Sequence, residues 1–386
     1  MPQPAHSVQT SDTVQGLDAV VRDVVEPLAE QVDRDGAFPR DGVRALAAAG
    51  ALGLLSDPEF GGSGADLRQA AGVVERLAGV CGSTAMVLLM HYAAVSVIEA
   101  HGPEPVRRAI AEGRHLSTLA FSEKGSRSHF WAPVGTAAQD GTGDVLLNAR
   151  KSWVTSAGEA DSYVWSSRPL GAAGPMTLWL VPSDSAGLEV HGDYDGFGLR
   201  GNASSPVGAK DVRVPETARL AADGQGLATA LELALPRFLV LSAAFCTGVS
   251  EALLARAAEH LRTTRLEHLR QTLAEQPLAR RDYALLRLRA DAARTFLDDT
   301  LAALDTGRPD ATSRVLQVKA LAAETTAEVA DGVMRLCGGS AFRRELGVER
   351  RFRDALAARV MAPTTEALYD FCGRAGLGLP LFEEAR

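Results

Sequence analysis

The sequence predicts a mostly helical chain of the α+β class, with strands confined to its middle. Three observations carry this. Apolar residues recur at three- and four-residue spacing as far as Gly113. From about His115 to Asp223 the period falls to two, between glycine- and proline-rich turns. From Leu227 onward the helical period returns in long segments. Domains are therefore expected over 1–113, 114–223 and 224–386.

Each element has a local reason. Leu17, Val20, Val21, Val24, Val25 and Leu28 lie on one face of a helix starting near Thr13. Alanine-rich sequence from Arg40 towards Leu52 favours a second helix, and Gly61, Gly62 and Gly64 break the chain after it. Ala85 to Ala100 is apolar almost all round and should be buried, with His91 a satisfied interior histidine. In the middle, Leu116–Phe121, Val145–Leu147, Tyr163–Ser166 and Thr177–Val181 read as short strands, and Gly141 to Asp144 as a hairpin connection. Such strands make a small β-barrel or a sandwich. Leu227–Leu261, Arg280–Leu304, Ser313–Leu336 and Arg351–Ala375 read as four long helices, the pattern of a bundle.

Composition narrows the function classes. With 386 residues, 46% hydrophobic and 23% charged, the chain is neither disordered nor low in complexity. A formal charge of −8 argues against broad nucleic-acid binding. Cys81, Cys246, Cys337 and Cys372 are far apart, which disfavours a disulfide framework or a metal cluster. The polar N-terminus lacks the pattern of a signal peptide, and the apolar run Phe238 to Val249 is short for a bilayer span, so a cytoplasmic protein is expected.

Five segments carry a resemblance. They are Phe38 to Asp66 with its glycine turn; Ala120-Phe-Ser-Glu-Lys-Gly-Ser-Arg-Ser128; Lys151-Ser-Trp-Val-Thr-Ser-Ala-Gly158 with Ala160-Asp161; Gly198-Leu-Arg-Gly201 leading to Asp211-Val-Arg-Val-Pro215; and Gly338-Gly339 followed by Glu349-Arg350 and Arg353-Asp354. Singly, each has a plain structural reading. K-x-W-x-T can be a solvated strand edge with a buried aromatic, and the glycine pair a helix C-cap. Arg343, Arg344, Arg350, Arg351 and Arg353 can form a cationic face closed by Glu345, Glu349 and Asp354. Together and in order, the five segments resemble the FAD-dependent acyl-CoA dehydrogenase family over almost the whole chain.

The resemblance implies an N-terminal helical domain, a central β-barrel and a C-terminal four-helix bundle, assembled as a homodimer or homotetramer. It implies FAD, with Phe121 and Ser122 at the pyrimidine edge, Trp153 against the ring and Thr155 near N5. Gly338, Gly339 and Arg262 would meet the dinucleotide, a close approach and a charge suited to glycine and to a guanidinium. It also places Arg127, Ser128, Thr364 and Glu366 among cofactor contacts, and Ser128 and Arg237 against the substrate. No metal is expected.

The resembling enzymes need a carboxylate base beside the substrate α-carbon. Most carry it eight residues after the R-D pair, where this chain has Ala362. Others carry it just before an arginine on the first bundle helix, where this chain has Pro236. The sequence thus reads as a divergent member without the usual glutamate. Glu232, Glu366, His91 and His129 are candidate replacements, and the catalytic base is unassigned. Lys124, Arg127, His129, Thr263 to Leu266 and Arg335 are further departures.

The leading expectation is an oxidoreductase acting on the CH–CH group of an acyl thioester. The acyl group would be bound to CoA or to an acyl-carrier protein, with an electron-acceptor flavoprotein or O₂ as oxidant. The alternative is a flavin-dependent monooxygenase on the same fold using reduced flavin and O₂; a third reading is a flavin-binding protein without redox chemistry. Arg280, Arg281, Arg287 and Arg289 offer either a docking face for an acidic carrier protein or a solvated helix face.

Overall fold

Helical periodicity in the first hundred residues is realised as a set of short helices around one long apolar one. The computed structural model describes residues 16–126 and 129–382; the start of the helix expected from Thr13, and the site candidates Arg127 and Ser128, lie outside them. The chain is helical from Gly16, passes through a π turn at Val21–Val25 and continues as α1 (Glu26–Asp35), stopped by Gly36 at φ 62°. Helices α2 (Arg40–Ala48), α3 (Leu67–Val80), α4 (Gly82–His101) and α5 (Glu104–Ala111) follow. Helix α4 is buried nearly all round, as its composition requires.

The strands form two separate four-stranded sheets. One has the order β1 (Ser117–Ala120), β4 (Ser162–Ser167), β5 (Thr177–Pro182), β8 (Arg219–Leu220). The other runs β2 (Thr136–Gln139), β3 (Asp144–Val154), β7 (Ser205–Pro215), β6 (Leu188–Val190). The expected hairpin joins β2 to β3, its turn held by Thr142 N–H donating to Asp140. The expected barrel is not formed, because the sheets do not close on one another. The outer strands β6 and β8 are only three and two residues long, too short to carry a closing ladder. The sheets do meet at an isolated antiparallel bridge between Glu123 and Lys151.

Beyond β8 lie a short helical turn (Gly226–Thr229), a π turn (Ala230–Ala234), and α6 (Leu235–Thr263). Pro236 lacks the N–H that would bond the carbonyl of Glu232, and the helix register is already shifted there by one residue. The hairpin β9 (Arg265–Leu266) to β10 (Gln271–Thr272) precedes α7 (Pro277–Asp305), α8 (Ala311–Cys337), α9 (Val348–Val360) and α10 (Thr365–Gly376). The fourth long helix expected over Arg351–Ala375 is therefore two helices, since Pro363 cannot continue α9. Helix α8 is central to this region, packing on α7, α9 and α10.

By compactness the chain forms two units. One holds the chain through Val74, Ser83–Gly196 and Arg200–Phe238; the other holds Glu75–Gly82, Phe197–Leu199 and the chain from Leu239. The apolar run judged short for a bilayer belongs to a helical stretch, Gly226–Thr263, that is long and apolar enough to cross one, as is Gly82–His101. In both, 83% of the apolar window is buried inside the protein, so their apolarity is that of core helices.

Candidate active site

Strand β3 begins with ordinary alternation, Val145 and Leu147 pointing inward. Its pairing with β7 then slips between Lys151 and Val154. Such a bulge re-aims side chains. Lys151 and Val154 are both buried, and Trp153 between them is 71% exposed with φ 57°. The buried-aromatic reading of this motif is thus wrong for Trp153. A bulky residue in the left-handed region is strained, and the strain here presents a flat indole face outward.

The neighbouring strand end is tied to it. Ser152 N–H donates to the Ser122 carbonyl at 2.9 Å and Lys124 N–H to the Arg150 carbonyl at 3.0 Å, so Phe121–Ser122 runs alongside Ser152–Trp153. Thr155 is buried with its hydroxyl 3.2 Å from that of Ser204. Ser156, also left-handed at φ 59°, is buried, and its hydroxyl has no hydrogen-bond partner among the described residues. A flat aromatic face bordered by backbone and hydroxyl groups suits a planar heterocycle with a hydrogen-bonding edge, so these residues fit a flavin ring.

Flanking this edge in sequence is a buried ion pair that sequence reading missed. Lys151 Nζ is 2.6 Å from Glu123 Oε1 and donates to the carbonyl and hydroxyl of Ser166 at 2.7 and 2.8 Å. Glu123 Oε2 accepts the N–H groups of Val134 and Gly135 at 2.6 and 2.8 Å. Burial pulls the Lys151 ammonium down to about 8, although Glu123 opposes this.

Other candidates in this unit are placed apart. His91 is fully buried; Ser117 N–H donates to Nδ1 at 3.1 Å, leaving Nε2–H to donate to the Leu52 carbonyl at 3.0 Å. Burial holds its imidazole down at about 4, with His115 acting in the same direction, so it is neutral and fully engaged, as a structural histidine should be. His129 is exposed, its ring 4.8 Å from that of Trp131. Glu232 is exposed on the π turn. Arg237 donates back to the Leu233 carbonyl at 3.0 Å.

In the second unit, Gly338 ends α8 with φ 55° and ψ −140°, and a Cβ at Gly338 or Gly339 would meet nothing within 4 Å. The glycine pair is thus a helix stop whose surroundings leave room for close approach. Arg262 is exposed and spends its Nε–H on the Ala258 carbonyl. Thr364 caps α10 by accepting the Ala367 N–H at 3.3 Å, and Glu366 is exposed in the first turn. Ala362 lies in the break between α9 and α10. Lys319, fully buried on α8, donates to the carbonyls of Ala358, Met361 and Pro363 at 2.9, 3.0 and 2.8 Å, fixing the path on both sides of it. Burial draws this ammonium down to about 8.

Within this unit, residues 197–199, at the start of the fourth motif, meet Arg353-Asp354 of the fifth. Asp354 accepts the Leu199 N–H at 2.6 Å, and Arg353 donates to the Phe197 carbonyl at 3.1 Å. A Cβ on Gly198 would fall 2.4 Å from the Arg353 carbonyl oxygen, so only glycine fits. The solvated cationic-face reading holds for Arg343 with Glu345, whereas the Arg353–Glu349 pair is mostly shielded from solvent and Arg351 and Asp354 are buried. Of the possible carrier-docking arginines, Arg287 pairs with Glu251 and Asp291, Arg289 with Glu328, and Arg281 with Asp282. Arg280 donates to the Ala274 and Glu275 carbonyls. With three of the four arginines paired to acids of the same surface, the solvated-face reading fits better than a free cationic patch.

A helix–sheet–helix chain of this order has the architecture of the acyl-CoA dehydrogenase fold. Comparison with known proteins agrees along the length of the chain. The N-terminal, middle and C-terminal domain models of acyl-CoA dehydrogenase match residues 10–113, 118–212 and 224–377. Human mitochondrial short-chain specific acyl-CoA dehydrogenase is 26% identical over 93% of this chain and 89% of its own. Isobutyryl-CoA dehydrogenase of Dictyostelium discoideum is 25% identical over 87% and 82%. The structure of butyryl-CoA dehydrogenase from Megasphaera elsdenii superposes with a TM-score of 0.89 at 21% identity, covering 98% of this chain and 99% of that one. The chain belongs to the acyl-CoA dehydrogenase family. It is a flavoprotein enzyme, and its cofactor is FAD. The monooxygenase alternative finds no favour among these relatives.

Proposed function

We propose that this enzyme oxidises the CH–CH group of an acyl thioester, carried by CoA or by a carrier protein, and does so with the family's usual base relocated or absent. The observation behind this is the pair of positions Ala362 and Pro236, each empty of a carboxylate in a chain that otherwise follows the family from end to end. FAD, when bound, supplies the two-electron acceptor for a substrate hydride. Trp153, Phe121, Ser122, Thr155, Arg127 and Ser128 would hold its ring end. Arg262, Gly338, Gly339, Thr364 and Glu366 would hold the dinucleotide, and Ser128 with Arg237 would meet the thioester. His91 is unsuited as the replacement base, since both its nitrogens are engaged and buried. Glu232 and Glu366 keep exposed carboxylates.

We read the chain as three domains, 1–113, 114–223 and 224–386, in a cytoplasmic homodimer or homotetramer that passes electrons to an acceptor flavoprotein. The test is anaerobic reduction of bound FAD by a panel of acyl-CoA and acyl-carrier thioesters, in the wild type and in Ala362→Glu. A general base contributes on the order of 10²–10⁴ in rate. An inactive wild type with a bleaching Ala362→Glu variant means the base is absent. A wild type that bleaches with a particular thioester, and gains nothing from the new glutamate, means it is relocated.

A further inference from the structure

The ion pair of Glu123 and Lys151 sits where the two sheets meet, two residues from Trp153 and from Phe121 along the chain. The isolated bridge between these residues is flanked by the bonds Ser152 to Ser122 and Lys124 to Arg150, so one short register fixes both chain segments. Below it, one ammonium joins Glu123 to Ser166 on β4 and so links the sheet of β3 to the sheet of β1. One carboxylate also collects the N–H groups of Val134 and Gly135, where the chain returns to enter β2. Gly135 is needed for this: a Cβ there would stand 2.6 Å from the Ala149 Cβ and 3.0 Å from Glu123 Oε1.

A buried ion pair is a poor device for stability, because desolvating two charges offsets their attraction, and apolar replacements of equal volume often serve as well. Its geometry, however, is demanding. A sheet register slips easily where pairing is reduced to a single bridge, and a slip of one residue would turn every side chain of the segment to the opposite face. We propose that Glu123 and Lys151 are positioning residues for the flavin ring: by locking the 122–124 segment against 150–152, they set the offset between the Phe121–Ser122 backbone and the Trp153 ring. This rests on the reading that Trp153 and Phe121–Ser122 hold the isoalloxazine. Both side chains are buried.

The test uses Glu123→Gln/Lys151→Met, which removes both charges while the amide oxygen still accepts the Val134 and Gly135 N–H groups. Glu123→Gln alone is the milder companion should the double variant fold poorly. Trp153→Ala tests the underlying site, and Val164→Ala, a core truncation in β4, controls for loss of stability. Apoproteins are titrated with FAD, and the visible circular dichroism of the bound flavin is recorded with the melting temperature. The proposal expects a folded double variant with FAD affinity weakened by about tenfold or more and an altered flavin dichroism, while Val164→Ala lowers the melting temperature without changing either. Unchanged affinity and dichroism in a folded pair variant, where Trp153→Ala does weaken binding, overturns the positioning role and leaves the site standing. Unchanged affinity in Trp153→Ala overturns the site reading itself.

Discussion

A tryptophan with a left-handed backbone and an exposed ring gains little from the fold that carries it. Its use must lie in what it presents, and its loss should be harmless to the apoprotein. Trp153→Ala is expected to leave the melting temperature unchanged or slightly higher, while FAD retained through gel filtration falls, since a stacking contact of about 0.5–1.5 kcal/mol is lost. A variant that keeps a full complement of flavin contradicts this. His91 is the opposite case, a residue spent wholly inside. Its pKa is about 4 in the fold and 6.5 unfolded, so below pH 6.5 the unfolded chain takes up a proton that the folded one refuses. The stabilisation it provides is present above pH 6.5 and lost as pH falls towards 4, on the order of 3 kcal/mol in all. Denaturant unfolding at pH 6.5 and 4.5 should show this loss in the wild type and a smaller one in His91→Gln; equal slopes would contradict it.

Elements defined by local periodicity were legible: the buried helix around His91, the hairpin at Gly141, the strands, and three of the four long C-terminal helices. What was not legible depends on partners distant in sequence. Barrel closure turns on whether edge strands are long enough to pair, and periodicity within a strand is silent on that. The break between α9 and α10 was readable from Pro363, but an apolar pattern continuing on both sides masked it. The two buried lysines left faint signals. Lys151 shares the inward phase of Val145 and Leu147, and Lys319 sits four residues after Val315 on the apolar stripe of α8. At Lys319 the ammonium serves as the C-terminal cap of α9, meeting carbonyls at the negative end of the helix dipole. Lys319→Met should therefore cost about 2–4 kcal/mol through three carbonyls left without their donor. Chemical denaturation of the two proteins measures it, and a cost below about 0.5 kcal/mol, the range of ordinary surface substitutions, would show that the cap is dispensable.

At the scale of the molecule, the order of the motifs was more informative than any one of them. Gly198 and Arg353-Asp354 lie far apart in sequence, yet they form a single clamp. Under the proposed reading, Ala362 stands where the resemblance places the family's carboxylate. Of the candidate site, the sequence named Phe121, Ser122 and Trp153, and the fold runs their segments side by side. Its supporting ion pair was not legible, because charge in a sequence does not announce burial. The proposed function is an acyl-thioester oxidation whose proton transfer departs from the family's common reaction. Anaerobic bleaching of the bound FAD by a simple straight-chain acyl-CoA tests it most directly. The wild type should not bleach rapidly, with reduction appearing only for a particular thioester or on introducing Ala362→Glu; rapid reduction of the wild-type flavin by such a substrate would contradict the proposed function.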